Sequence, residues 1–377
     1  MEQLSIIEFF SVVSDPRIER SKKHPLISVL MIGLMSVLAG GEGYNDMEEY
    51  GEVNEKLLRD FLDLSNGIPS HDTFRNVFSR INPKELEEFL LEFTKHLSEG
   101  FKRCDSNVIA LDGKTVRGSY DKAREQNALH LVSAWAAGTR LVLGQVAVDG
   151  KSNEITAIPK LLQMLDIKGA TITMDAMGTQ REIAKQIIDK KADYVLALKK
   201  NHGTFHEDVT DFFSGHAVDN FSELEHTSFE TTDKGHGRIE IRTTIATDEI
   251  EWSGRDAEWK GLKSFVMVRG SRIIGDREKT EARYYISSLP ATASNLAEAV
   301  RSHWGIENDL HWMLDVNFRE DQSRIRRDNG PRNMAALRKV ALNLLKASNL
   351  PKKSLRRKKL LATWSPKYLL SLILQRN

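Results

Sequence analysis

A single cysteine, Cys104, stands among the 377 residues of this chain. One thiol excludes an internal disulfide framework, fits a reducing compartment and leaves nothing for a cysteine-built zinc site. Long apolar runs are also missing: the longest, Leu26 to Ala39, has 14 residues, too few to cross a bilayer and typical of a buried helix. Arg17, Arg20, Lys22 and Lys23 precede it, which invites comparison with a signal peptide. Residues 6–13 ahead of those charges are themselves amphipathic and helix-like, and Asp15-Pro16 reads as a break between two helices. A cytoplasmic chain with no membrane partner is therefore expected. There is no internal repeat and no low-complexity tract, and 40% hydrophobic with 28% charged residues excludes disorder as the default.

Net charge is nearly absent, at +1, but the balance is uneven. From residue 324 onward fifteen Lys and Arg face one acid, Asp328, so this tail carries +14 and the remainder −13. Clustered cations neutralise phosphates and release counterions, which suggests a polyanion-binding arm; a solvated basic helix explains the charge equally well.

Residues 1–104 are expected to be all-α, because apolar residues recur at helical spacing, as in Leu57, Leu58, Phe61, Leu62 and in Leu86, Phe89, Leu90, Phe93. The period changes near residue 107. Residues 108–111, 128–136 and 141–148 are β-rich runs between glycine and polar breaks, three strands expected to pair antiparallel. A helix over 155–165, a strand over 170–174, a helix over 181–190 and a strand over 194–198 follow. That order predicts an α/β fold, a mixed sheet with flanking helices. Residues 200–292 turn β-rich again, with strands at 238–245, 265–268 and 282–287 expected to close a small sheet in an inserted segment. Helices are predicted over 294–316 and 332–346, ahead of a basic tail at 349–377.

Two of these strands end alike. Val108-Ile-Ala-Leu-Asp112 and Thr171-Ile-Thr-Met-Asp175 each run apolar residues into an aspartate followed by a small residue. As parallel neighbours they would deliver both carboxylates to one edge of the sheet, where open α/β sheets bind ligands. Turn formation accounts for each aspartate separately. Together they would repel, and a divalent cation resolves the repulsion, since Mg²⁺ takes one or two carboxylates and keeps water and substrate phosphate. The late helix offers a third acid: His303, Glu307, His311 and Asp315 recur every four residues along one face. A solvated face with surface ion pairs is the plainer reading of that stripe.

Spacing removes two other readings and weakens a third, the phosphoaspartate one. Gly113-Lys-Thr115 resembles the end of a P-loop, but the glycine required five positions earlier is Val108. A phosphoaspartate nucleophile at Asp112 calls for an acid two residues on, where Lys114 stands. His303, Glu307 and His311 are in the wrong order for a His-Glu-x-x-His zinc site.

Asp112-Gly-Lys, Met174-Asp-Ala-Met-Gly178, Lys151-Ser-Asn-Glu-Ile-Thr-Ala-Ile-Pro159 and His303-Trp-Gly-Ile-Glu-Asn-Asp-Leu-His-Trp-Met-Leu-Asp-Val316, in this order and spacing, resemble the bacterial insertion-sequence DDE transposases of the H-repeat-associated (Rhs element) type. The likeness extends over nearly the whole chain, including His24-Pro-Leu and Gly40-Gly-Glu-Gly-Tyr44. It implies an RNase H-like catalytic core in two parts, 105–199 and 293–348, with the β-rich insertion at 200–292 before the last catalytic helix and a transposase-associated helical domain at 1–104. It implies a triad of Asp112, Asp175 and Glu307 holding Mg²⁺, or Mn²⁺ in its place, as two ions. The implied reaction is metal-dependent cleavage at transposon inverted-repeat ends, then attack of the freed 3′-hydroxyl on target DNA. Double-stranded DNA is the implied partner, with a homodimer in the synaptic complex.

One departure stands out. Related transposases place Tyr, Arg and Lys around the glutamate, and those positions here hold Val300, His303 and Leu314. Arg301, His303 and His311 are expected to take over the phosphate contacts, with Lys114 beside Asp112 as another. Lys352, Lys353, Arg356, Arg357, Lys358 and Lys359 are expected to meet DNA backbone non-specifically. Lys199-Lys200-Asn201-His202 ends a strand near the triad, and Lys234-Gly-His-Gly-Arg238 reads as a turn or a backbone contact. Trp304 and Trp312, eight residues apart, are expected in the core. Two alternatives stay open: a domesticated relative that binds DNA without catalysis, and a phosphohydrolase with Asp112 as nucleophile.

Overall fold

The computed structural model describes residues 6–99, 107–149, 152–235, 237–348, 350 and 352–374; Cys104, Lys151 and His236 lie outside them. The N-terminal region is helical: α1 (Ile6–Phe9), α2 (Leu26–Ala39), α3 (Tyr44–Val53), α4 (Glu55–Leu58), α5 (His71–Arg80) and α6 (Pro83–Glu99). Ser70 caps α5 by accepting the amide of Thr73. The apolar stripe of α6, Leu86, Phe89, Leu90, Phe93 and Leu97, is buried along its length, each side chain contributing roughly 1.5–3 kcal/mol. α2 is apolar all round because it is enclosed by other helices. No single helix among the described residues is long and apolar enough to cross a membrane; only α2 and α3 taken together pass on length and composition, and they are bent by 94°.

Among the described residues, nine strands form one mixed sheet: β1 (Val108–Val116), β2 (Leu129–Ala136), β3 (Leu141–Ala147), β4 (Thr171–Met174), β5 (Asp193–Leu198), β6 (Thr227–Gly235), β7 (Arg238–Thr247), β8 (Ser264–Ile274) and β9 (Arg277–Ser287). Their spatial order is β3-β2-β1-β4-β5-β9-β8-β7-β6. β1, β4 and β5 are parallel to one another, and the hairpin pair β2 and β3 joins β1 antiparallel. The crossovers between the parallel strands are α7 (Glu154–Met164) and α8 (Arg181–Asp189), whose apolar faces meet Ile109, Leu111, Ile172 and Leu196 on one side of the sheet. The other side is covered by α10 (Ala293–Gly305), α11 (Trp312–Phe318) and α12 (Gly330–Ala347). α12 shares its core with the N-terminal helices and with Trp135 of β2. The chain ends in α13 (Leu355–Trp364) and α14 (Pro366–Leu374).

Three local expectations give way. The strands between 227 and 287 build no small sheet of their own: β9 pairs antiparallel with β5, so they prolong the central sheet. A helix, α9 (Thr204–Ala217), precedes them, and its buried Phe205, Val209 and Phe213 at helical spacing were the available signal. The late helix is not one regular helix, because residues Ile306–His311 form a π-turn between α10 and α11. Such a turn adds a residue and rotates the following face. Trp312, expected in the core, is accordingly 54% exposed.

Candidate active site

Asp112 does not end its strand. β1 runs on through Gly113 to Val116 beside β2, while its parallel neighbour β4 stops at Met174 opposite Leu111. Asp112 and Asp175 therefore occupy the same rung, one step past the last paired residues, with the open edge of β4 between them. No turn is formed at Asp112-Gly113. Asp175 does make one, its Oδ1 accepting the amide of Met177 at 3.0 Å. Asn201 and His202, from the loop after β5, both donate to the carbonyl of Ala176 and steady that turn.

The third acid arrives on the irregular helix. Glu307 lies in the π-turn and is exposed toward a cavity of about 190 Å³ that Asp175, Lys199, Arg283, His303 and Trp304 also line. Burial above all, and then the negative charges of Asp175, Glu154 and Glu307, push the Asp112 carboxyl up to about 7, against the Gly113 amide that holds it down. The like charges thus converge on Asp112. Among the described residues no three acidic or histidine groups stand close enough to hold an ion as they are placed. The donor chemistry, three carboxylates without sulfur, suits a hard divalent cation that would draw them together.

A small contact sets where the helix can sit. At Gly305, directly before the π-turn, a Cβ would fall 2.2 Å from the indole of Trp135. Gly305→Ala should lower stability by about 1–3 kcal/mol through overpacking, read from urea unfolding, and should lift Glu307 away from the aspartates. Unchanged unfolding would mean that Trp135 does not hold the helix.

The two histidines expected to contact phosphate are largely buried, and burial decides their charge. Burial pulls His303 down to about 4 and His311 down to about 3, so both are neutral near pH 7. His303 Nδ1 pairs with the buried Thr173 hydroxyl at 3.0 Å and pins α10 onto β4, two residues before Asp175. His311 Nδ1 lies 3.4 Å from Asp112 Oδ2. Val300 and Leu314 are buried in the apolar core under the helix. Arg301 remains exposed, on a groove of about 920 Å³ over the prolonged sheet that Arg238, Arg242, Arg272 and Arg283 share.

Lys114 is also placed differently. Its ammonium sits 2.6 Å from Asp315 Oδ1, 3.1 Å from Glu320 Oε2 and 3.2 Å from Asp321 Oδ1, so three carboxylates occupy its three donors. Burial pulls its pKa down, but Glu320 and Asp315 outweigh that and raise it. Asp315, the last member of the supposed polar stripe, thereby belongs to a structural ion cluster.

The basic tail divides in the same way. Lys352, Lys353, Arg356 and Arg357 are exposed and available to an external anion. Lys358 is buried and donates to the carbonyl of Leu345 at 2.8 Å. Lys359 donates to the carbonyl of Asn317 and lies 4.5 Å over the Phe318 ring. These two tie helix ends, where cations are favourable, and do not face outward. Further upstream, Arg332 forms a bidentate pair with Glu87, Arg338 and Lys339 are buried, and Lys346 donates to the carbonyl of Asp309. Much of the +14 is therefore spent inside the protein.

Comparison with known proteins gives the chain's family. The DDE_Tnp_1-associated family matches residues 7–94, and the transposase DDE domain family matches residues 103–344. The H repeat-associated putative transposase YhhI of Escherichia coli K12 is 40% identical, covering 99% of this chain and 98% of its own. The putative transposase YncI of Escherichia coli O157:H7 is 40% identical over 94% of this chain and 90% of its own. A cryo-EM structure of the piggyBac transposase synaptic complex with hairpin DNA covers 92% of this chain and 70% of that one at a TM-score of 0.42 and 12% identity, too distant to carry an argument. A match over most of the chain and a full-length likeness at 40% identity leave one conclusion: the chain belongs to the DDE transposase family, alongside its H-repeat-associated members.

Proposed function

We propose that this protein cuts DNA at the inverted-repeat ends of an insertion sequence and joins the freed 3′-hydroxyls to target DNA. The observation that carries this reading is the shared rung of Asp112 and Asp175 on parallel strands, with Glu307 of the π-turn lining one cavity with Asp175. The strand order β3-β2-β1-β4-β5, with α7 and α8 as crossovers, supports an RNase H-like core for residues 105–199 and 293–348. The helical domain at 1–104, the insertion at 200–292 and the tail at 349–377 complete the proposed division.

Asp112, Asp175 and Glu307 would hold Mg²⁺, or Mn²⁺, which supplies charge stabilisation at the reacting phosphate and a more acidic water. Asp175 is oriented by its own turn, and Asp112 is held by the continuous strand on either side. In the first step water attacks the terminal phosphorus, the bond to the 3′ oxygen breaks, and that oxygen leaves as a 3′-hydroxyl. In the second, this hydroxyl attacks a target phosphodiester and displaces the target's own 3′ oxygen. Arg301, with the arginines of the neighbouring groove, and Lys352, Lys353, Arg356 and Arg357 on the tail are proposed to meet phosphates. Synapsis of two ends calls for two copies of the chain.

The test is incubation of the full chain with labelled DNA carrying the repeats that flank its coding region, in Mg²⁺, Mn²⁺ or chelator. Cuts at the repeat ends that require the cation are expected. Binding without cutting in either cation would instead make the protein a DNA-binding relative that has lost catalysis, and cutting that survives chelation would sink the metal-dependent reading.

A further inference from the structure

We propose that Glu154 is a working part of this cleft, a fourth carboxylate oriented by His130 that positions Asp112 and the water shell of the divalent cation. The inference rests on the site reading above and goes beyond the three acids of that reading.

Glu154 opens α7, and an acid in a first helical turn is ordinarily explained by the helix dipole. Its carboxylate is committed elsewhere. Oε1 pairs with His130 Nε2 at 2.7 Å, and His130 Nδ1 pairs with the hydroxyl of Thr115 at 2.8 Å. His130 and Thr115 face each other across β2 and β1, so the imidazole is held from both sides on rigid strands.

The residue beneath this pair is Gly113, next to Asp112. A Cβ there would lie 2.0 Å from Glu154 Oε1 and 2.8 Å from His130 Nε2, so any side chain at this position would displace the Glu154 carboxylate. The glycine is no turn residue, since β1 runs straight through it. Its missing side chain makes room for a carboxylate against the strand that carries Asp112. Glu154 meets β1 from the α7 face while the Asp112 side chain leaves it toward His311 on the other, and because β4 has already ended at this level the edge of β1 beside them is open. Glu154 is 14% exposed and its charge acts on Asp112 together with those of Asp175 and Glu307.

The experiment measures Mn²⁺ binding to the full chain without DNA, by the paramagnetic resonance signal of free Mn²⁺, alongside the cation dependence of end cleavage. Glu154→Gln should weaken Mn²⁺ binding by about tenfold and move cleavage to correspondingly higher Mn²⁺, with most of the rate recovered at saturation. Gly113→Ala, which keeps every acid but displaces Glu154, should weaken binding in the same direction. If both variants bind Mn²⁺ like the unaltered protein, the proposal is overturned. Should Glu154→Gln fail to fold, as judged by circular dichroism, Gly113→Ala and His130→Gln decide. Glu307→Gln is the control for the site itself: loss of Mn²⁺ binding there with none in the Glu154 and Gly113 variants overturns only the fourth carboxylate, whereas no effect of Glu307→Gln overturns the site reading.

Discussion

Replacing Asp112 or Asp175 by Asn, or Glu307 by Gln, should reduce end cleavage by about 10³-fold or more, since the cation's charge stabilisation is worth several kcal/mol and each 1.36 kcal/mol is a decade in rate. The same change at Asp112 should leave the protein folded and make it more stable. Its carboxyl is pushed up to about 7 by burial and by three neighbouring acids, from an ordinary value of 3.8. A carboxyl whose folded pKa is raised binds its proton more tightly in the folded state, so ionising it costs stability. That cost is absent below the unfolded pKa, grows as pH rises through the interval, and is complete above about 7. In chelator, Asp112→Asn should therefore melt higher than the parent at about pH 8, by roughly 2–4 kcal/mol from three units of pKa, and match it at about pH 3. The group's partial exposure places the effect toward the lower end of that range. An Asn variant that melts lower than the parent at both pH values would mean that the acids do not repel, and one that cuts DNA normally would remove Asp112 from the site. A cleft that is repulsive until a cation fills it is the stability cost expected of a functional site.

Lys114→Met is expected to have the largest effect on stability, about 3–5 kcal/mol, because it strips the one cation shared by three carboxylates and leaves Glu320 buried without it. Glu320 is fully buried and its other oxygen, Oε1, has no hydrogen-bond partner. Lys339, held at about 8 by burial, and Arg338 also act on Glu320, Lys339 more strongly than Lys114, but neither replaces the hydrogen bonds that Lys114 makes to the three carboxylates. Urea unfolding measures the loss, and the double variant Lys114→Met with Glu320→Gln should recover part of it, since the two positions are coupled. Cleavage should fall as well, because the cluster joins β1 to α11 and to the segment leading into α12. The opposite result, unchanged unfolding with weaker DNA binding, would restore Lys114 to the role that its place beside Asp112 suggests.

Lys114 shows where reading the chain residue by residue stops. A lysine two positions after Asp112 is equally suited to a phosphate and to Asp315, Glu320 and Asp321, which lie some two hundred residues away. Nothing local distinguishes them. His303 and His311 show the same limit: their spacing is helical, but their charge depends on burial, which only the folded chain sets. Trp312 was lost to the π-turn, which shifts the helical phase that period arguments assume constant. Glu154 was visible only as one letter in a motif, because its partner His130 belongs to β2, 24 residues earlier.

What the sequence determined by itself is what depends on neighbours within about one helical turn or one strand. The α6 stripe, the apolar cores of β1, β4 and β5, the crossover helices α7 and α8, and two aspartates following apolar tetrapeptides all lie within that range. Tertiary structure alone decided which charges are free. Pairing β9 with β5 turned an expected separate sheet into an extension of the central one, and folding α13 onto the ends of α11 and α12 took Lys358 and Lys359 out of the basic arm. The physical reason is that periodicity and turn chemistry act over a few residues, whereas desolvation and Coulomb attraction act through space, between groups that the chain brings together only when it folds.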